Sequence, residues 1–331
     1  MSGQKPFSII VETENLGMVG IDDLEVCLDS LKNQTYSIKN ITEVLLIVGG
    51  HISKPAIKRI KQKYPWVKIH LEKDKLDYAK SKMKGAEIAR GKVLIFADSD
   101  MKYERTWLEN MIKSFELHPK DHIMSGDTRL DTTSAYKMSL NSTWMIQILS
   151  DEIDKPVKTS FFPLNNFAIY RNDMLKEPLP HKLPLYRNKI PIWEKMLIKN
   201  GFKILRVPRT RGIHAPPGNL ADWWYRMLIY GADFVSLSDF SINQNGEVIE
   251  KKNILRRFLR ALFLFPWKIE QLIVNSYKLL KEDWQRARYF PGALFLGLFN
   301  SVVIEFGALI ACLNRDLIFR KITAREEAHI V

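Results

Sequence analysis

Short apolar runs alternate with amphipathic stretches along the first third of this chain. Phe7-Ser-Ile-Ile-Val11 reads as a buried strand, and Val44–Val48, Val67–Leu71 and Lys92–Ala97 repeat the pattern. Between them, Leu24, Cys27, Leu28 and Leu31 recur at helical spacing within Ile21–Gln34. Pro55–Tyr64 predicts a basic amphipathic helix, and Tyr78–Arg90 another, closed by Gly91. Trp107, Leu108, Met111, Ile112 and Phe115 mark a further helix. Strands alternating with helices predict an α/β fold with a mostly parallel sheet flanked by helices. Ligands bind such sheets at the carboxyl ends of the strands. Glu12-Thr-Glu-Asn15, Gly49-Gly50 and Asp98-Ser-Asp100 fall at those ends.

Asp127 to Pro184 carries no clear period. Lys189–Asn200 predicts a helix stopped by Gly201, and Phe202–Val207 a strand. Trp223, Met227 and Tyr230 share one helix face, and Trp223-Trp224-Tyr225 reads as core rather than as a sugar platform. Ser236–Lys252 is polar and reads as a linker. From Ile254 onward two long helices are predicted, apolar and basic together. The chain thus divides into 1–235, a linker at 236–252, and an α-helical apolar appendage at 253–331.

Across 331 residues, 46% hydrophobic and 26% charged composition predicts a packed core rather than disorder. A formal net charge of +13 points to an anionic partner. Lys58, Arg59, Lys61 and Lys63 have little aromatic interleaving, so a solvated helix face is expected there and no nucleic acid partner. Cys27 and Cys312 sit in apolar runs and read as buried thiols in a reducing compartment. With no CxxC pair, a zinc ribbon or thioredoxin-like site is excluded. Met1–Pro6 is short and polar, so no signal peptide is expected.

Asp98 and Asp100 carry the sharpest chemistry. In an extended chain, residues two apart face the same side, so both carboxylates can converge on one divalent cation. Mn²⁺ or Mg²⁺ held there leaves coordination positions for a diphosphate. The plainer alternative is a solvated acidic turn. Its placement directly after the Ile95-Phe-Ala97 run favours the site.

Phe7-Ser-Ile-Ile-Val11, the helix bearing Cys27-Leu-Asp-Ser-Leu31 and Gln34-Thr-Tyr36, and Phe96-Ala-Asp-Ser-Asp100 resemble family-two glycosyltransferases of the GT-A fold. Asn165-Asn-Phe-Ala-Ile-Tyr-Arg171 resembles that family's acceptor-side strand, and the resemblance runs from about Phe7 to about Gly231. It implies a hexosyltransferase-type enzyme that moves a sugar, with inversion, from a nucleotide-sugar donor to an acceptor hydroxyl. Thr13 and Glu14 would border the base and ribose, and Lys82 would face the nucleotide. Asp98 would touch ribose or metal, Asp100 would bind metal, and His214 would complete the metal and diphosphate site. Two positions depart from the pattern. The second strand ends Val48-Gly-Gly50 instead of in an acid, and the family's Glu-Asp pair is replaced by Lys189 and Ile190. Glu194 and Asp127 are the remaining candidates for the catalytic base.

Gly292–Leu313 is about 22 mostly apolar residues, long enough to span a bilayer, with Glu305 inside it. Phe258–Leu280 is apolar but holds Lys268, Glu270 and Gln271, which suits an interfacial helix. Basic residues flank both segments, Arg256, Arg257 and Arg260 before and Lys281, Arg286 and Arg288 between. In-plane or re-entrant helices on the cytoplasmic face of an anionic membrane surface are expected, with a glycan or lipid-linked acceptor. The competing reading is a helical hairpin packed on the catalytic half. Two rival functions stay open: a non-catalytic nucleotide-sugar-binding relative, and a membrane-surface scaffold.

Overall fold

The structure is a computed structural model describing residues 6–14, 16, 20–50, 52–144, 155–180, 183–185 and 189–328. The four apolar runs form β1 (Phe7–Glu12), β2 (Glu43–Val48), β3 (Val67–Leu71) and β4 (Val93–Asp98). They pair in parallel in the order β3-β2-β1-β4. The intervening helices are α1 (Ile21–Lys32), α2 (Lys54–Lys63) and α3 (Tyr78–Ile88). Ser53 and Asp77 cap α2 and α3, their side chains accepting Ala56 N–H and Lys80 N–H. Ile9, Ile10 and Val11 are fully buried, as expected for a strand covered on both faces. Each such side chain is worth about 1.5–3 kcal/mol relative to exposure.

The stretch without a clear period contributes the other half of the sheet. After β5 (Met101–Tyr103) and α4 (Trp107–Leu117) come β6 (Ile123–Arg129), α5 (Ala135–Thr143), β7 (Val157–Lys158), β8 (Asn166–Tyr170) and α6 (Arg171–Lys176). α7 (Ile190–Lys199), β9 (Ile204–His214) and α8 (Leu220–Ser236) follow. β8 runs antiparallel to β4 and β6, β9 runs parallel to β6, and β5 and β7 are antiparallel to β9. The full order is β3-β2-β1-β4-β8-β6-β9-β5, with β7 on β9. Apolar cores lie on both faces, one under α1, α2 and α4, the other under α3, α6 and α7.

The polar stretch 236–252, read as a linker, holds secondary structure of its own. It forms a hairpin of β10 (Phe240–Ile242) and β11 (Val248–Glu250). Beyond it, α9 (Ile254–Glu282) and α10 (Phe290–Ala328) form an antiparallel-type helical hairpin joined by a turn at Trp284–Tyr289. Asn314 leaves helical geometry and kinks α10. Buried Asp239 ties these parts together. It accepts from Arg257 Nη2 at 2.6 Å and Arg315 Nη1 at 2.9 Å, one residue from each helix. The helical region is not a loose appendage. α10 packs along α8 so closely that a Cβ on Gly231 would collide with the carbonyl of Ile304, and one on Gly307 with that of Leu228. Glycine is required at both positions for the backbones to approach.

Candidate active site

The site forms where β1, β4 and β9 end. β4 delivers Asp98 beside Glu12 of β1. Lys82, fully buried on α3, reaches Asp98 Oδ1 with Nζ at 2.6 Å. Tyr78, one turn earlier on the same helix, donates its hydroxyl to Asp98 Oδ2 at 2.8 Å. The ammonium also lies over the Tyr78 ring, 4.4 Å from its centre. Asp98 is thus a charge-paired carboxylate with both oxygens engaged by α3.

Asp100 follows in the turn at residues 99 and 100 that precedes β5, so the two aspartates do not lie on one extended run. β5 then pairs antiparallel with β9, placing Met101 opposite His214, and Ala215 N–H donates to the Asp100 carbonyl at 2.8 Å. This register carries His214 Nε2 to 3.5 Å from Asp100 Oδ2. The other ring nitrogen, Nδ1, lies 2.5 Å from the Ala215 carbonyl oxygen. A carbonyl can only accept, so Nδ1 carries a proton and Nε2 is the ring nitrogen that faces Asp100. The Trp144 ring meets the His214 ring edge-on, with centres 5.4 Å apart.

These groups suit a divalent cation. Among the described residues no three or more His, Cys, Asp or Glu side chains gather into a complete cage. One carboxylate and one imidazole leave most of a Mn²⁺ or Mg²⁺ coordination sphere for phosphate oxygens, as those ions prefer. The local field is negative. Burial first, then the charges of Asp100, Asp98 and Glu12, push the Cys27 thiol well up. Asp23, in the first turn of α1, is raised by burial, then by Asp100, with His214 opposing. Asp23 was not legible from sequence, since its relation to Asp100 is set by how α1 packs on the sheet.

Thr13 and Glu14 follow β1. The Thr13 hydroxyl donates to the Ile47 carbonyl at 2.9 Å, and Glu14 N–H donates to the Glu12 carboxylate at 2.8 Å. The Thr13 hydroxyl thus ties the end of β1 to the end of β2, and Glu14 is held there through its backbone. Tyr103 was missed by sequence reasoning. Its hydroxyl accepts Asp98 N–H at 3.0 Å and donates to the Asn165 carbonyl at 2.7 Å. Asn166 was quoted only as part of a strand. Its amide donates to the Asp127 and Thr210 carbonyls, both at 2.8 Å, tying β8 to β6 and, across it, to β9.

The two candidate bases occupy different surroundings. Asp127 lies on β6 with Arg129 Nε at 2.5 Å from Oδ2 and Arg206 Nη2 at 2.9 Å from Oδ1. Arg211 Nε stands 3.5 Å from Oδ2. Arg129 reaches on to Glu282 of α9 at 2.9 Å. A cleft of about 390 Å³ opens beside this network, lined by Arg129, Arg211, Asn141, Arg286, Arg288 and Tyr289 together with Asp131 and Asp283. Glu194 is buried on α7, where it accepts Phe162 N–H at 2.8 Å beside the Phe162, Phe167 and Trp193 rings. Burial pushes its carboxyl up to about 8, against the lowering effect of that hydrogen bond.

Comparison with known proteins gives the family and the fold. The sequence model described as Glycosyl transferase family 2 matches residues 8–178. The chain is similar to the mannosyltransferase PcManGT from Pyrobaculum calidifontis, solved in complex with GDP-Man and Mn²⁺. That likeness has a TM-score of 0.58 at 14% identity, covering 95% of this chain and 88% of that one. It is also similar to GalNAc-T7, solved with UDP, GalNAc and Mn²⁺, at a TM-score of 0.50 and 17% identity, over 70% of this chain and 51% of that one. At these identities the likeness is one of fold, the GT-A fold. No curated protein matches the sequence.

Proposed function

This chain belongs to glycosyl transferase family 2, and we propose that it moves a hexosyl group from a nucleoside-diphosphate sugar to an acceptor hydroxyl, with inversion. The observation that carries this reading is the meeting of Asp100 and His214 at 3.5 Å beside the Lys82–Asp98 pair. A bound Mn²⁺ or Mg²⁺ would supply Lewis-acid stabilisation of the departing diphosphate. Asp100 and His214 would hold it, and Lys82 would keep Asp98 in place facing the ribose. Thr13 and Glu14 would border the base, and the missing acid after Val48 leaves Gly49 and Gly50 to offer backbone groups instead. The two similar structures hold a nucleotide and Mn²⁺ in their own sites, which supports the same ligand class here.

The base is assigned to Glu194 or Asp127. Burial pushes the Glu194 carboxyl up to about 8, so as a base it would act only as pH rises through that value. Asp127 would have to release a guanidinium to receive a hydroxyl proton. The division into a transferase part at 1–235, a joining segment at 236–252 and a helical part at 253–331 is kept in functional terms. The arginine-lined cleft at their junction suits an acceptor carrying a phosphate or carboxylate. A setting at the cytoplasmic face of a membrane, with a glycan or lipid-linked acceptor, draws on the apolar exposed sides of α9 and α10.

The test is release of free nucleotide from GDP- and UDP-sugars, with and without Mn²⁺. Metal-dependent release from one donor class supports the reading. A second reading, a non-catalytic nucleotide-sugar-binding relative, draws on Lys189 and Ile190 standing where the family has its Glu-Asp pair. It predicts intact nucleotide binding and no turnover with any acceptor.

A further inference from the structure

We propose that α9 and α10 lie in the plane of an anionic bilayer surface, sunk by one apolar side into the headgroup boundary, without crossing the bilayer. This deepens the membrane-surface reading above and rests on it.

α10 is apolar on both sides: Val303, Ile304, Ala308 and Ala311 are buried in a cluster with Trp223 and Met227 of α8, and the side left exposed is apolar as well. From Pro291 through Leu313 every exposed residue is apolar, Phe295, Val302, Phe306 and Leu309 among them. Asn300 and Ser301 turn inward, and Glu305 is half-buried. Asn300 accepts Trp223 Nε1 at 2.9 Å and donates toward Ser139 and Thr143, and Ser301 donates to the Gly297 carbonyl. A helix packed on a soluble domain carries its apolar stripe on the buried side and its charge outside. The exposed side of α9 is similar, with Phe258, Leu262, Phe263, Ile273 and Val274 interrupted by Arg256 and Glu270. An apolar face with scattered charge along its length suits a helix lying at the interface.

Crossing is excluded by what covers the opposite side. α10 is locked on α8 at Gly231 and Gly307 and bonded to α5 through Asn300. α8 carries Asp222, Arg226 and Asp233, α5 carries Lys137, and both continue directly from strands of the catalytic sheet. A spanning α10 would drag these charges into hydrocarbon, where each is expensive. The interior side of α9 also holds Lys268, fully buried and bonded to the Thr143 carbonyl and the Tyr230 hydroxyl.

Charge favours lipid over a second copy of the chain. At the turn between the helices, exposed Tyr277 and Trp284 stand among exposed Lys278 and Arg288, and Arg288 makes no ion pair with the described residues. Lys251, Lys252 and Arg256 line the start of α9. Aromatic and basic residues together are the signature of a headgroup layer, and basic edges attract anionic lipid while repelling each other.

The test places a fluorophore on Phe295→Cys or Leu309→Cys in the full chain, the native Cys27 and Cys312 being buried. These positions lie about 21 Å apart along the helix axis at about 1.5 Å per residue. Each is read against vesicles of phosphatidylcholine with phosphatidylglycerol, carrying quenchers at shallow or deep acyl positions. The in-plane arrangement predicts that both probes are quenched alike, more by the shallow quencher. One shallow and one deep probe would show a span and overturn the in-plane arrangement while leaving membrane binding standing. No quenching of either probe would overturn the membrane-surface reading as well, and a concentration-dependent dimer in sedimentation would then identify a second copy as the occupant. Arg288→Glu with Lys278→Glu is expected to weaken binding to phosphatidylglycerol vesicles at least tenfold and leave weak binding to pure phosphatidylcholine unchanged. Equal affinity for the anionic vesicles before and after would overturn the headgroup assignment.

Discussion

His214 Nε2 stands 3.5 Å from Asp100 Oδ2 because β5 pairs with β9 and sets Met101 opposite His214. The pairing joins the end of the fourth strand to the end of the ninth, so the site depends on the whole sheet having closed. His214→Ala should raise the Mn²⁺ concentration needed for half-maximal activity at least about tenfold, equivalent to ~1.4 kcal/mol. A metal titration of activity checks this, alongside an unchanged urea midpoint that separates lost coordination from lost folding.

Lys82 and Asp98 are both buried, 2.6 Å apart. Removing one partner of such a pair leaves an uncompensated charge and costs about 3–5 kcal/mol, whereas removing both costs less. Lys82→Met should therefore lower stability more than the double variant Lys82→Met with Asp98→Asn. Urea unfolding of the four proteins in the cycle measures the difference. Equal losses in single and double variants would mean the pair does not stabilise its own geometry.

Glu194 gives a pH prediction. Its carboxyl titrates at about 8 in the folded chain, against 4.5 for the unconstrained group. The folded state holds this proton more tightly, so the associated stability is fully present below pH 4.5 and is lost as pH rises toward about 8. The slope approaches ~1.4 kcal/mol per pH unit in that window. Glu194→Gln keeps an acceptor for Phe162 N–H and removes the titration. Its melting temperature should overtake that of the parent as pH rises, by a gap that stops widening above pH ~8. If Glu194 is the base, parental activity climbs through the same pH and the variant loses it.

Gly231 and Gly307 let α8 and α10 approach backbone to backbone. Alanine at either position must push the helices apart, at a cost of about 1–3 kcal/mol. Thermal unfolding should show the loss, and limited proteolysis should show the hairpin of α9 and α10 cleaved earlier than in the parent. The same substitution at exposed Gly218, where a Cβ meets nothing within 4 Å, should be close to neutral.

The first four strands and their helices were legible because each strand is a continuous apolar run and each helix keeps its period. β1 and β4 begin and end within a residue or so of the runs that announced them. β5 was not legible, being three residues long with Lys102 at its centre. That Asp100 and His214 belong together was implied by the family resemblance alone, since their closeness follows from a pairing between distant segments and not from local spacing. The turn at residues 99 and 100 interrupts the extended run on which the two aspartates were read to lie. Ser236–Lys252 read as a linker from its polarity, yet Asp239 pins it to Arg257 and Arg315. The apolar exposed side of α10 also needed the fold, since composition alone does not say which side Asn300 and Ser301 face.

Calorimetric titration with UDP and GDP, with and without Mn²⁺, on the parent and on Asp100→Ala tests the central claim most directly. The account predicts Mn²⁺-dependent binding of one nucleotide to the parent, weakened at least about tenfold in Asp100→Ala, a loss of ~1.4 kcal/mol. Binding of neither nucleotide in any condition, or equal metal-dependent binding by parent and variant, would contradict it.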